Sequence, residues 1–304
     1  MPDTIIVTGG AGFIGSHVVD TLIARGHTVH VIDDLSTGNR ENINIAATLH
    51  QLDIRDKRLA DLFAELKPTK VVHLAAQIDL RKSVREPVED ADINIMGGLN
   101  VLEAARAAGV RHITYSSTAA AYGMEKPVPT AEDEQVAPIA PYGVSKVAFE
   151  MYLRAYRHLH DMDSMILRFA NVYGPRQTVK GEAGVVAIFF GLIRDKKTPV
   201  INGDGEQTRD FVFVTDVAEA VALSVEKSAV GTCNVSTGEE TSVNTLFELM
   251  KGVSGSGIVA EHVPEKPGDE RKVCLDPTRA YEVLAWEATV SVDDGVRRTY
   301  ESYG

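Results

Sequence analysis

A glycine-rich segment near the start of the chain limits the fold more than any other feature of the sequence. It reads Thr8-Gly9-Gly10-Ala11-Gly12-Phe13-Ile14-Gly15, follows a short apolar run and opens a helical pattern. Glycines between a strand and a helix permit a tight turn, and they let a pyrophosphate approach the positive helix N-terminus. The segment therefore predicts a βαβ unit that binds a dinucleotide through Gly9, Gly12, Phe13, Ile14 and Gly15.

The first half of the chain alternates short β-rich runs with helical patterns. Strands are predicted at residues 4–7, 28–32, 48–52, 70–74, 112–115 and 164–169, and helices at 13–25, 56–66, 84–108 and 142–160. This order predicts a Rossmann-type, doubly wound parallel sheet of the α/β class. The second half is less regular and predicts a smaller α+β substrate-binding domain. We expect the dinucleotide domain at residues 1–170 and the second domain at 171–304, with segments near 206–238 returning to the first.

The charge balance bears on what the chain can bind. With 31 Lys and Arg against 43 Asp and Glu, the net charge is -12, which disfavours nucleic acid and anionic membranes as partners. The N-terminal residues lack a signal-peptide pattern, and the apolar run at 185–193 is too short to span a bilayer. Cys233 and Cys274 have no metal-ligand spacing, and neither do the histidines. We expect a cytoplasmic protein without a metal ion.

An acidic residue at the end of the second predicted strand indicates which dinucleotide is bound. Asp33 stands where a carboxylate binds the ribose hydroxyls, and Asp33-Asp34 would repel a 2′-phosphate. Because no arginine follows until Arg40, the sequence favours NAD over NADP. After the third predicted strand, Asp53 and Ile54 are placed to approach the adenine; a solvated turn acid is the equal alternative for Asp53.

The run Pro141-Tyr142-Gly143-Val144-Ser145-Lys146 supplies a base. In a helix, Tyr142 and Lys146 project from one face, so the ammonium can stabilise the phenolate. We expect this to lower the pKa of the phenol from about 10 and make it usable as a base at neutral pH. An ordinary helix start is the alternative for an isolated Tyr-x-x-x-Lys.

Together with Ser116-Ser117-Thr118, these motifs resemble the extended short-chain dehydrogenase/reductases, in particular their nucleotide-sugar branch and the UDP-glucose 4-epimerases. The resemblance covers nearly the whole chain, including the stretches 73–77, 168–175, 209–216 and 268–271. It implies a bound NAD, a UDP-sugar substrate, a homodimer formed through helices 84–108 and 142–160, and catalysis by Thr118, Tyr142 and Lys146.

The resemblance also implies roles for residues outside the catalytic group. Asn94 would support the cofactor-bearing helix, and Ala75, Ala76 and Gln77 would line the nicotinamide and the sugar. The implied substrate residues are Gln77, Ser117, Thr118, Asn171, Arg209, Lys266, Asp269, Arg271 and Val273. A planar guanidinium suits a diphosphate, but a surface salt bridge with Asp210, Asp216 or Asp269 is the alternative for the arginines. Lys266 replaces the arginine often found at its position.

The residues after Thr118 discriminate between reactions. Related 4,6-dehydratases place an Asp-Glu pair there and related decarboxylases a glutamate, whereas this chain has Ala119, Ala120 and Ala121. Oxidation and re-reduction at one carbon, a 4-epimerisation, needs neither acid. UDP-glucose/UDP-galactose is the expected pair. UDP-glucuronate or UDP-N-acetylhexosamine 4-epimerisation, and a non-catalytic NAD-binding regulatory role, are the alternatives; a net NADPH-dependent reductase is disfavoured by Asp33. Val273, at the position that gates the sugar's C2 in the resembling enzymes, predicts some tolerance of N-acetyl groups.

Overall fold

The structure is a computed structural model that describes residues 2–178, 184–265 and 270–303. The strands are β1 Thr4–Thr8, β2 Thr28–Asp33, β3 Thr48–Gln51, β4 Lys70–His73, β5 His112–Thr118, β6 Asp163–Phe169, β7 Asn171–Tyr173, β8 Val200–Asn202, β9 Thr208–Arg209, β10 Phe211–Phe213, β11 Gly231–Val235, β12 Thr241–Ser242, β13 Glu261–Val263 and β14 Lys272–Val273. The α-helices are α1 Phe13–Ala24, α2 Leu59–Leu66, α3 Leu80–Arg85, α4 Pro87–Ala91, α5 Gly98–Ala107, α6 Pro141–His160, α7 Val185–Arg194, α8 Val214–Lys227, α9 Val243–Ser254, α10 Thr278–Leu284 and α11 Val292–Glu301.

Seven parallel strands form the central sheet, in the order β11-β6-β5-β4-β1-β2-β3. The order reverses direction between β1 and β4, and ligands of such sheets bind outside the carboxyl ends of the strands at this switch point. The predicted doubly wound α/β fold is therefore confirmed.

Both faces of the sheet are covered because β1 sends alternate side chains to opposite sides. Ile5 and Val7 join a core cluster with α1 and α8, and Ile6 joins another with α2, α5 and α6. The near-continuous apolar sequence of β1 is what a strand buried on both faces requires.

The predicted helix at 84–108 is wrong as one continuous element. It is divided into the end of α3, the helix α4, a π-helical segment at Asp92–Gly97 and α5. Pro87 begins α4 at its first position, where the missing N–H costs nothing, and Glu86 before it leaves the helical conformation at φ -132° and ψ 58°.

The second half contributes both to a separate layer and to the central sheet. A third core cluster joins α7, α9 and α11 to β7 and β10. In contrast, β11 pairs with β6, α8 packs on α1, and α10 packs on α8 and β11. Across the described ranges, no helix combines the length and apolar character needed to cross a membrane.

Candidate active site

The glycine loop lies against the start of the segment that follows β4. A Cβ at Gly9, whose φ is +71°, would lie 2.7 Å from the Ala75 backbone nitrogen, and one at Gly15 would lie 2.0 Å from the Gly9 carbonyl oxygen. Gly12 occupies the N-cap of α1 and offers no side-chain acceptor, and the first turn of α1 carries no acidic residue. The positive end of α1 is therefore left for an external anion.

Asp33 lies at the end of β2, directly beside this loop. Its carboxylate accepts hydrogen bonds from the backbone N–H groups of Ala11 and Leu35, both at 2.9 Å. Burial raises the pKa of Asp33, and the two N–H groups oppose that rise. The predicted ribose acid is thus adjacent to the predicted phosphate loop.

Asp53 forms an ion pair, whereas Ile54 lies in the core. The Arg55 guanidinium holds Asp53, with Nη2 2.6 Å from Oδ2, and lowers the pKa of that carboxyl. Ile54 is buried in the core, and its carbonyl accepts a hydrogen bond from Asn100 at 2.6 Å. For the Asp53 side chain, this geometry favours the turn-acid alternative.

Thr118 and Tyr142 meet where β5 ends and α6 begins, and Lys146 follows one helical turn further along α6. Thr118 starts the short 3-10 turn Ala119–Ala121, and a Cβ at Gly143 would lie 2.9 Å from the Ala120 carbonyl oxygen. The small residues on both segments therefore let α6 approach β5 closely. The backbone N–H of Tyr142 also donates to Ser83 Oγ of α3 at 3.1 Å, which fixes the first turn of α6.

The protonation states of this group differ from the sequence-based expectation. Burial raises the pKa of Tyr142 to about 12, opposed by its side-chain hydrogen bond with Thr118. Burial also lowers the pKa of Lys146 to about 7, opposed by Glu150 and Asp90. The expectation that Lys146 lowers the pKa of the phenol is wrong for this structure, because desolvation penalises both charged forms. The Lys146 ammonium lies over the Tyr115 ring, 4.5 Å from its centroid.

Ser117 does not join Thr118 at the site. It is buried and donates to Glu150 Oε1 at 2.5 Å. Glu150 is itself bound by Arg168, with contacts of 3.0 Å from Nε and 2.7 Å from Nη2. Successive residues of a strand point to opposite faces, so the substrate role implied for Ser117 is corrected to a contact with a buried ion pair.

Asn94 connects the segment after β4 to α6. Its Oδ1 accepts from the Gln77 backbone N–H at 2.8 Å, and its Nδ2 donates to the Gln77 carbonyl and to Ser145 Oγ, both at 3.0 Å. Ala75 and Ala76 precede Gln77 and are half-buried. This fits the supporting role implied for Asn94.

The predicted substrate residues of the second half lie on small sheets. Asn171 pairs with Phe211, and Val273 pairs with Arg209. Arg209 donates to the Thr208 and Glu270 carbonyls at 2.7 and 2.9 Å. Val273 and Arg209 are therefore neighbours across two strands, while Lys266 and Asp269 lie outside the described residues.

Arg271 forms a bidentate ion pair with Asp204, with both contacts at 2.7 Å, and is exposed. The surface salt-bridge alternative therefore describes Arg271 in this structure, with a different acid from the three considered. Asp210 and Asp216 instead accept backbone N–H groups, such as those of Gly238 and Val290, both at 3.0 Å.

Sequence reasoning overlooked Asp90 and the Glu150–Arg168 pair. Asp90 is buried and accepts from Gln77 Nε2 at 2.9 Å and from Asn94 Nδ2 at 3.2 Å. Its position one helical turn before Asn94 was the available signal. Within the described parts of the chain, no group of three or more His, Cys, Asp or Glu residues is arranged to hold a metal ion.

Comparison with known proteins assigns the chain to a family. Residues 6–299 match the family model described as GDP-mannose 4,6 dehydratase. The UDP-glucose 4-epimerase of Mycolicibacterium smegmatis is 45% identical over 98% of this chain and 97% of its own length. The chain belongs to the extended short-chain dehydrogenase/reductase family.

Two solved structures sharpen the comparison. The UDP-glucose 4-epimerase of Thermotoga maritima with UDP-glucose superposes with a TM-score of 0.95 at 45% identity, covering 99% of this chain and 98% of that one. The Thermus thermophilus UDP-glucose 4-epimerase in complex with NAD gives a TM-score of 0.92 at 40% identity, with the same two coverages. The chain is similar to UDP-glucose 4-epimerases in both sequence and structure.

Proposed function

We propose that this chain interconverts UDP-glucose and UDP-galactose by NAD-dependent 4-epimerisation through a transient 4-keto sugar. The observation that carries the proposal is the side-chain hydrogen bond between Thr118 and Tyr142, one helical turn from Lys146 and beside a turn made only of alanines. The family model is named for a dehydratase, but elimination of water needs an additional acid and base. The residues that follow Thr118 provide neither, and the relatives compared above are epimerases.

The residues at the β1–β4 switch point fit NAD. A side chain at Gly9 or Gly15 would collide with backbone atoms, so the loop stays open to a pyrophosphate at the N-terminus of α1. Gly9, Gly12, Phe13, Ile14 and Gly15 would hold the phosphates, and Asp33 the adenosine ribose. NAD, when bound, supplies the hydride acceptor and the hydride donor.

Tyr142 acts as the base in this mechanism. It takes the proton from the sugar 4-hydroxyl and returns it after the ketose has turned over within the site. Thr118 hydrogen-bonds Tyr142 and orients the 4-oxygen. By resemblance, protonated Lys146 would favour the phenolate, and its charge would have to offset the burial that raises the pKa of the phenol.

The second half would bind the nucleotide diphosphate. Arg209 and Asn171 lie on neighbouring small sheets, and Lys266 and Asp269 are assigned by resemblance. Arg271 would have to exchange Asp204 for a phosphate to take part. We retain the division into an NAD-binding domain at 1–170, to which segments near 206–238 return, and a sugar-nucleotide domain at 171–304 as part of the proposal.

We also propose a homodimer. Six apolar side chains on the helices that precede β5 and on α6 are at least half exposed: Val84, Val88, Met96, Val144, Met151 and Leu159. Exposed apolar side chains mark an interaction site when they form one contiguous patch. The helices that carry them are those assigned to the dimer contact by resemblance.

Incubation with a panel of UDP-sugars, with no cofactor added, tests the reaction. NMR should resolve an equilibrium mixture of C4 epimers from UDP-glucose or UDP-galactose, because the cofactor is regenerated in each turnover. Turnover confined to UDP-glucuronate or to UDP-N-acetylhexosamines would replace the substrate assignment. Bound NAD with no turnover on any sugar would leave a non-catalytic regulatory protein.

A further inference from the structure

Asp90 is a buried carboxylate with one oxygen that accepts hydrogen bonds and one that does not. It lies near the end of α4 and is 1% exposed. Its Oδ1 accepts the two amide donors described above, from Gln77 and Asn94. Its Oδ2 is buried and has no hydrogen-bond partner among the described residues. A carboxylate oxygen in this position is costly unless a compensating charge lies nearby.

The titratable groups around Asp90 show which cation can compensate its charge. Its electrostatic influence reaches Tyr115 of β5 and both Tyr142 and Lys146 of α6. Lys146 is the cation of this set. It also faces Glu150 on α6 and His73 on β4.

Three other charged groups nearby have partners of their own, and Arg85 of α3 is exposed. Arg168 of β6 binds Glu150, Lys82 of α3 binds Glu89 at 3.0 Å, and Asp92 of the π segment binds Arg55 at 2.8 Å. Lys146, which is 3% exposed on a helix that packs against α4, is therefore the buried cation placed to compensate Asp90.

We propose that Asp90 is a positioning residue for Lys146, supplying the negative charge that holds its ammonium group inside the protein. The same carboxylate fixes Gln77 and Asn94, and Asn94 reaches α6 through Ser145. Asp90 thereby sets both the charge and the surroundings of the lysine. Its consequence for turnover rests on the proposed 4-epimerase function, whereas its electrostatic coupling to Lys146 does not.

Removal of the Asp90 charge should change the pKa values of Lys146 and Tyr142 in the same direction. Burial lowers the pKa of Lys146 and raises that of Tyr142, and Asp90 acts to raise both. Asp90→Asn should therefore lower both pKa values while its amide oxygen can still accept from Gln77 and Asn94. The two limbs of the pH profile of kcat, which report the ionisations of Tyr142 and Lys146, should therefore both move to lower pH by about one unit.

The first test measures kcat and KM against pH for the NAD-loaded wild type, for Asp90→Asn and for Glu89→Gln. Glu89 is the exposed neighbour on α4, so Glu89→Gln should keep the wild-type profile. The proposal predicts that both limbs of Asp90→Asn move to lower pH with KM unchanged. A uniform loss of kcat with unmoved limbs would overturn it, because a purely structural role would give that result.

A double-mutant cycle tests the charge coupling without turnover. Lys146→Met should destabilise the chain by leaving Asp90 uncompensated, and adding Asp90→Asn should recover stability in urea unfolding. A double variant less stable than Lys146→Met would overturn the proposal, and this comparison does not require that Asp90→Asn alone folds. A wild type that epimerises no UDP-sugar would refute the proposed function and leave this cycle interpretable.

Discussion

Replacing Arg168 with methionine tests the buried ion pair that Ser117 contacts. Arg168 and Glu150 meet through two contacts, at 3.0 and 2.7 Å, and their side chains are 2% and 1% exposed. Arg168 also stacks on the Tyr122 ring at 4.7 Å from its centroid. Removing one partner of a buried pair leaves an uncompensated charge, so we expect Arg168→Met to lower the free energy of unfolding by about 3–5 kcal/mol.

The chain offers a matched control for this variant. Arg154 contacts the same Glu150 carboxylate at 3.4 Å, but its side chain is 55% exposed. Arg154→Met should therefore cost less than about 1 kcal/mol. Urea unfolding of NAD-free protein measures both, and Glu150→Met combined with Arg168→Met should recover most of the loss because neither member of the pair is left buried without the other. Equal destabilisation by Arg168→Met and Arg154→Met would refute the reasoning.

Four further predictions follow from the site and the surface. Tyr142→Phe should lower kcat by about 10²- to 10⁴-fold with NAD affinity retained, and Tyr152→Phe on the same helix should not; comparable activity in both would assign the base elsewhere. Titration should show NADH binding more tightly than NADPH, and Asp33→Asn should reduce that preference while Asp34→Asn leaves it; tighter NADPH binding by the wild type contradicts the ribose assignment. The wild type should act on UDP-N-acetylglucosamine as a secondary substrate, and Val273→Tyr should remove that activity selectively; equal loss on UDP-glucose would rule out Val273 as the gate. The wild type should sediment as a dimer at micromolar concentration and Val88→Glu as a monomer, whereas Val259→Glu, exposed elsewhere, should stay dimeric; a monomeric wild type would end the dimer proposal.

The glycine loop and the parallel sheet were accessible from sequence because their signals are local. A φ of +71° favours glycine, and a strand buried on both faces favours apolar residues, so both features can be recognised from the residue types. The break at Pro87 also had a local signal, but a helix can restart at proline, and the pattern of apolar residues continues across the interruption. The π segment has no local signal of this kind in the sequence. Within it, Asn94 hydrogen-bonds Gln77 and Ser145, which lie on other elements of the fold.

The sequence predicts which residues form the site, but it does not predict their pKa values. The spacing of Tyr142 and Lys146 placed both on one helix, but pairwise charge reasoning left out the desolvation that dominates both pKa values. Ser117 illustrates a different limit. Alternation along β5 separates it from Thr118, but the sequence does not tell which of the two faces the substrate.

The pairing of β11 with β6 has a consequence for dissecting the protein. A fragment that ends at residue 170 would lack β11 and α8, leaving the outer edge of β6 unpaired and Val18, Val19 and Leu22 uncovered. Open strand edges and apolar helix faces promote aggregation. The two halves therefore depend on each other to become soluble, and co-expression of the fragments should recover material that neither yields alone.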